Sequence, residues 1–175
     1  LFTDYAHKKR FVWMPKGTKA TYNADGKVLE LPVGAALIKT FYYDNVQNVS
    51  VPGSTRIIET RIMIRKSTGW IFADYIWNEA QTEAKLDLNG SFTDVTWNDT
   101  DMNGMQVVRT SHYKIPDESS CIVCHKYKTT VNGLFTNVNI PIGIKPQNLN
   151  WNYNYSDGTK NQLTKWVEAG YLESG

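Results

Sequence analysis

Between Lys19 and Tyr113, apolar and polar residues alternate in short runs separated by turn residues. In RIIETRIMIR, Ile58, Thr60, Ile62 and Ile64 recur at every second position, and Glu59, Arg61 and Arg65 fall between them, with Met63 the exception. A period of two puts successive side chains on opposite faces, so this segment reads as a half-buried strand with Glu59 and Arg61 off the apolar face. TYNADGKVLELPVG sets Asp25-Gly26 between two extended runs, which is a hairpin signal. GWIFADYIWNEA and AKLDLNGSFTDVTW continue the alternation, with Asn89-Gly90 as a second expected hairpin turn. MQVVRTSHYKI predicts a last strand before Pro116. These elements predict an antiparallel sheet, curled or in two layers.

Past Pro116 the pattern changes. PDESSCIVCHKY offers Asp117 as an N-cap and Glu118 in the first turn, so a short helix is expected to carry the cysteines. A polar loop follows, and PIGIKPQNLNWNYNYSDG reads as irregular. In TKNQLTKWVEAGYLESG, Thr159 and Gln162 have capping-box spacing, Leu163, Trp166 and Val167 form an apolar stripe, and Gly170 stands where a helix ends. The expected architecture is α+β. An antiparallel β domain spans residues 1–115, and a small helical, cytochrome-c-like unit over 116–175 packs on it.

Composition narrows the class without naming a function. A chain of 175 residues, 41% hydrophobic and 21% charged, suffices for a globular core. A net charge of +2 is too small to argue for nucleic acid, and no run nears the ~18 apolar residues of a membrane span. No signal peptide is visible, and a start at Leu1 is expected of a processed product. No paired carboxylates, phosphate loop or nucleophile elbow point to a hydrolase.

The chemistry concentrates in SSCIVCHKY. Cys121 and Cys124 are the only cysteines, and His125 follows directly. Two thiols three apart on a helix can each form a thioether to a porphyrin, and the adjacent imidazole can reach the iron. One covalent haem c is therefore expected, with Cys121 and Cys124 as thioethers and His125 as proximal iron ligand. A thioredoxin-type dithiol wants a βαβ context that is absent, and a structural zinc site wants four ligands, for which only His7 and His112 remain. Covalent haem implies a periplasmic, extracellular or cell-surface location.

No methionine or histidine follows His125, so a distal ligand must come from upstream. The candidates are His112, on the strand leading to the haem helix, and Met102 and Met105, flanking the Asn103-Gly104 turn. Met63 and Met14 read as core residues and His7 as a solvated side chain. Water, an open site, or a ligand from another chain or a missing segment are further options, and the choice sets the potential and the access to peroxide or gas. Trp151, Tyr153 and Tyr155 could form a sugar platform, but rings packed on a sheet or on the haem are the simpler reading. Asn78, Glu79 and Gln81 beside Trp77 fit a satisfied turn better than a polar site. The Asn48-Val49-Ser50 sequon matters only in a glycosylating host.

Seven blocks, in order along nearly the whole chain, carry a resemblance: LFTDYAHKKRFVWMPKGTKATY, LPVGAALIKTFYY, IETRIMIR, YIWNEAQTEAKL, YKIPDESSCIVCH, PIGIKPQNLN and NQLTKWVEAGYL. Together they resemble a family of exported bacterial, conserved hypothetical haem-c-like proteins, some linked to quinoprotein sugar dehydrogenases. The resemblance implies an exported haem protein that accepts electrons, and only Cys121, Cys124 and His125 carry over with a chemical role. Family members often continue past the position equivalent to Gly175 into a second C-x-x-C-H, which leaves the haem count and the distal ligand open. The expected function is extracytoplasmic electron transfer to a redox partner protein, by a carrier rather than an enzyme. The alternatives are a haem peroxidase, an electron-accepting module of a sugar dehydrogenase, or a haem-stapled surface assembly that self-associates.

Overall fold

The computed structural model describes residues 3–47 and 54–174; the Asn48-Val49-Ser50 sequon lies outside the described residues. Five strands form one sheet in the order β1 (His7–Trp13), β2 (Ala36–Tyr43), β3 (Arg56–Lys66), β4 (Gly69–Trp77) and β5 (Ala84–Leu86). β6 (Ser91–Thr100) and β7 (Gln106–Ile115) make a separate antiparallel hairpin with ten residue pairs, from Ser91↔Ile115 to Thr100↔Gln106. Helix α1 (Glu118–His125) follows, then the hairpin β8 (Lys126–Val131) and β9 (Leu134–Asn139). The short helix α2 (Pro146–Leu149), the hairpin β10 (Asn152–Tyr155) and β11 (Gly158–Asn161), and helix α3 (Gln162–Glu168) complete the chain.

The expectation of an α+β fold with a helical, cytochrome-c-like unit over 116–175 is overturned: the described residues are mostly antiparallel β. That segment holds two antiparallel hairpins, and its helices have eight, four and seven residues. The reason is local. KYKTTVNGLFTNVN alternates β-branched and aromatic residues with polar ones around Asn132-Gly133, both at positive φ, as a two-residue hairpin turn requires. Only SSCIVCH and NQLTKWVE remain for helices of two turns or so.

Three other expectations shift in detail. Asn89-Gly90 does not turn a hairpin, because β5 pairs with β4 and β6 with β7. The Asp25-Gly26 turn closes only the isolated bridge Thr21↔Glu30. Helix α3 is capped by Asn161, whose side chain accepts from the Leu163 and Thr164 backbone N–H groups, while Thr159 belongs to β11.

The chain divides into two compact units. Unit 1 comprises Leu1–Phe11, Leu37–Ile62 and Phe72–Cys121; unit 2 comprises Val12–Ala36, Met63–Ile71 and Ile122–Gly175. In unit 1, Phe41, Tyr43, Ile58, Val95, Trp97, Tyr113 and Ile115 form the buried core. Its aromatic rings interlock: Tyr43 lies 4.8 Å from Trp97 and meets Tyr113 edge-on at 6.1 Å. Burying each such ring stabilises by about 1.5–3 kcal/mol. The alternation read from the sequence does hold in β7, where Tyr113 and Ile115 are buried and Lys114 is exposed. In unit 2 the buried residues include Met14, Ala20, Leu29, Leu31, Trp70, Ile144 and Leu172. The backbone bonds Ala20 N to Tyr171 O, at 2.8 Å, and Leu29 N to Ile144 O, at 2.9 Å, tie that unit's segments together. Among the described residues, no helix is long and apolar enough to cross a membrane.

Gly90 connects the sheet to the lead-in of α1. Its φ is +72°, and a Cβ there would lie 2.7 Å from the Asp117 nitrogen and 2.9 Å from the Ile115 carbonyl oxygen, both backbone atoms. Gly90→Ala is therefore expected to cost about 1–3 kcal/mol in urea unfolding. A change below a few tenths would show that this close approach is not needed.

Candidate functional site

Asp117 builds the helix that carries the cysteines. Its Oδ1 accepts from the Ser120 backbone N–H at 2.7 Å and from the Ser119 hydroxyl at 2.9 Å. Hydrogen bonds from Ser120 and Ser119 hold its carboxyl down to about 2. An ionised group at this end also suits the helix dipole. The Glu118 N–H reaches back to Leu88 O at 3.2 Å. On the resulting helix Cys121, Cys124 and His125 stand at i, i+3 and i+4, so they share one face. Both cysteines are free thiols, Cys121 half-buried and Cys124 exposed.

His125 is held at two points. Its carbonyl accepts from the Ile140 N–H at 2.7 Å, which extends the β8–β9 ladder by one step. Its Nδ1 lies 2.8 Å from the Ile140 carbonyl oxygen. A carbonyl only accepts, so Nδ1 carries the proton, and in the neutral ring Nε2 carries the lone pair. An outer hydrogen bond of this kind is how metal-binding histidines are oriented.

No residue of α1 is buried. Val123 is 81% exposed, and Leu134 and Phe135 on the next hairpin are 72% and 78% exposed. A thiol pair and a tautomer-fixed imidazole on one helical face fit a covalently held porphyrin. They fit a redox dithiol less well. Burial pushes the Cys121 thiol up, with Arg61 opposing, whereas disulfide exchange uses lowered thiols. Among the described residues, no group of three or more His, Cys, Asp or Glu side chains is arranged to hold a metal ion.

The three distal candidates lie elsewhere on unit 1. Met102 and Met105 are exposed in the turn at the far tip of the β6–β7 hairpin. The ten residues of β7 separate them from the start of α1, about 30 Å at strand rise. His112 sits midway, exposed, stacked on Phe92 at 4.7 Å and joined through Nδ1 to Asp94 Oδ1 at 2.6 Å. Met14 is buried, Met63 is half-buried on β3, and the His7 ring leans on Tyr42 at 5.4 Å. Trp151 and Tyr153 are exposed, with Trp151 Nε1 donating to Asn148 O at 2.8 Å. Gln81 is consumed by structure: its side chain accepts from Ile57 N at 2.7 Å and donates to Ile57 O at 3.0 Å.

One group escaped the sequence reading. Glu59, expected off the apolar face of its strand, is completely buried. Its Oε1 accepts from the Tyr113 hydroxyl at 2.6 Å and pairs with the Arg61 guanidinium. Asp74, buried on β4, lies 3.7 Å from Arg61 Nε and leaves both carboxyl oxygens without a donor, as does Glu59 Oε2. Burial and the neighbouring Glu59 push Asp74 up to about 9, so this carboxyl keeps its proton at neutral pH. One shared proton then satisfies oxygens that otherwise face each other bare. The period of two placed Glu59 and Arg61 on one face of β3 but gave no sign that this face is covered too. The Cys121 thiol lies within electrostatic reach of Arg61, Asp74 and Glu59.

No protein-family model, curated protein or solved structure matches the chain.

Opposite outcomes are expected from replacing the two carboxyls. Glu59→Ala strands Arg61 and Tyr113 and should cost about 3–5 kcal/mol in urea unfolding. Asp74→Asn keeps the shape and gives Glu59 Oε2 a permanent donor, so it should stabilise by about 1–3 kcal/mol at pH 7. In the folded state Asp74 holds its proton up to about 9, and an ordinary Asp releases it near 3.8. Its contribution is thus fully present below pH 3.8 and lost as the pH rises towards 9. The gain from Asp74→Asn should vanish in acid and grow through that window. A pH-independent gain would remove the shared proton.

Proposed function

We propose that the chain is an extracytoplasmic electron carrier with one haem bonded through Cys121 and Cys124 and its iron bound by His125 Nε2. The observation that carries this reading is the two-point grip of Ile140 on His125, at the end of a helix that puts both thiols on the same face. When bound, the haem supplies a one-electron couple at its iron. The Ile140 carbonyl holds the Nδ1 proton, which keeps the lone pair on Nε2 and makes it a better donor. Cys121 and Cys124 fix the face of α1 to which the group is tied. The partner is a second redox protein, and the family resemblance supports an exported protein that accepts electrons.

The test is expression with a haem c maturation system, followed by intact mass and oxidised and reduced spectra. One haem per chain is expected. For an electron carrier the reduced spectrum should be low-spin and unshifted by carbon monoxide, with the sixth ligand supplied by a side chain other than Met102 or Met105, which the β6–β7 hairpin carries away from α1. Cys121→Ala with Cys124→Ala should abolish the covalent bond. His125→Ala should retain it and change the axial ligation bands. A colourless product whose mass is that of the polypeptide alone would end this reading. A spectrum shifted by carbon monoxide would turn it towards the peroxidase alternative.

A further inference from the structure

Unit 1 holds a second set of charges that the haem reading does not use. Lys8 and Arg10 alternate on β1, Lys39 and Phe41 on β2, and Glu59 and Arg61 on β3. These three strands are consecutive in the sheet. Lys39 Nζ and Arg61 Cζ lie 4.7 Å and 4.3 Å from the centroid of the Phe41 ring, so two cations flank one buried aromatic side chain. Among the described residues, Lys8, Arg10 and Lys39 have no carboxylate within ion-pair distance. The Lys8 ammonium donates only to the Ala6 carbonyl, at 3.1 Å. Glu59 is already committed to Arg61 and Tyr113.

Cations gathered this closely repel one another, and a half-buried one also loses hydration. Both effects are visible at Lys39, which burial, then Arg10, Arg61 and Lys8, push down to about 8, against the pull of Glu59. Lys8 is lowered as well, by burial and by Arg10. Among the described residues, Glu59 is the carboxylate that opposes this excess, and it is committed to Arg61 and Tyr113. An ordinary protein surface spreads its lysines or pairs them, whereas here they converge beside a flat apolar ring.

We propose that Lys8, Arg10, Lys39 and Arg61 form a binding site for a doubly charged oxyanion group, of the phosphate, sulfate or paired-carboxylate class. Lys39 sits between the β1 and β3 cations and is the central contact. The Arg61 guanidinium, fixed by Glu59, presents its remaining donors from a rigid position. The site stands without the haem reading. The carboxylates of such a haem and an external anion are two sources of the same chemistry.

Sulfate is the probe, because it does not titrate in the range of interest. Titration of the 175-residue apo chain at fixed ionic strength, followed by calorimetry in buffers of different ionisation enthalpy, should give saturable binding. Between pH 8 and 9 binding should be accompanied by proton uptake, as the anion restores the Lys39 charge. Lys39→Met should abolish that uptake and weaken binding about tenfold, a loss equivalent to one ion pair. Arg10→Gln, at an exposed position, should weaken it several-fold, and Lys85→Gln, an exposed lysine on β5, should leave it unchanged. Non-saturable binding, or equal affinity in Lys39→Met and Lys85→Gln, would overturn the proposal. In haem-loaded protein, lost sulfate binding assigns the site to the cofactor's carboxylates and retained binding to an external anion. Both results support the site, and the apo titration tests it whether or not haem attachment succeeds.

Discussion

A carboxylate sealed inside unit 1 sets terms for everything around it. Glu59 has no access to water, so its charge must be met inside the protein, by Tyr113 from β7 and by Arg61 from its own strand. That requirement joins the five-stranded sheet to the β6–β7 hairpin more specifically than the apolar contacts of the same core can. It also fixes where Arg61 points, over Phe41, and it suppresses ionisation of Asp74. A buried ion pair of this kind adds little net stability, because desolvation offsets attraction. Its value is in specifying one arrangement, and the groups it arranges border both the cysteine helix and the row of unpaired cations.

Much of the fold was legible where one periodicity held. Strands β6 and β7 follow the alternation, and Asp117 and Gly170 stand where α1 begins and α3 ends, whereas in β3 the adjacent Ile58 and Glu59 are both buried. The segment after His125 hides its strands because they are short and polar: Lys126, Lys128, Thr130 and Asn137 dilute the apolar signal. Asn132-Gly133 between alternating runs was the cue that marks a hairpin there. Register across sheets left no trace in the sequence. Asn89-Gly90 has hairpin chemistry, yet serves as a link between two sheets, since pairing partners are chosen by long-range packing and not by the turn alone.

The candidate site divides in the same way. Cys121, Cys124 and His125 could be read directly, because a helix converts their spacing into a common face. The role of Ile140 could not, since it depends on a backbone carbonyl fifteen residues away. Glu59 was hidden for a different reason: periodicity says which residues share a face, but nothing about what covers it. Met102 and Met105 are close to the helix only in the linear chain, and the ten-residue strands of the β6–β7 hairpin carry them to its far end.

The grip of Ile140 on His125 also bears on the order in which the protein assembles. That contact closes a loop of fifteen residues around an Asn-Gly turn, whereas Glu59 and Tyr113 must meet across 54, and Asn139 and the Trp70 carbonyl across 69. Loop-closure entropy grows with the logarithm of length, and short hairpins form in microseconds. The imidazole can thus be set in place by its own neighbourhood, early and independently, while the distant pairings that bury the carboxylates are still being found.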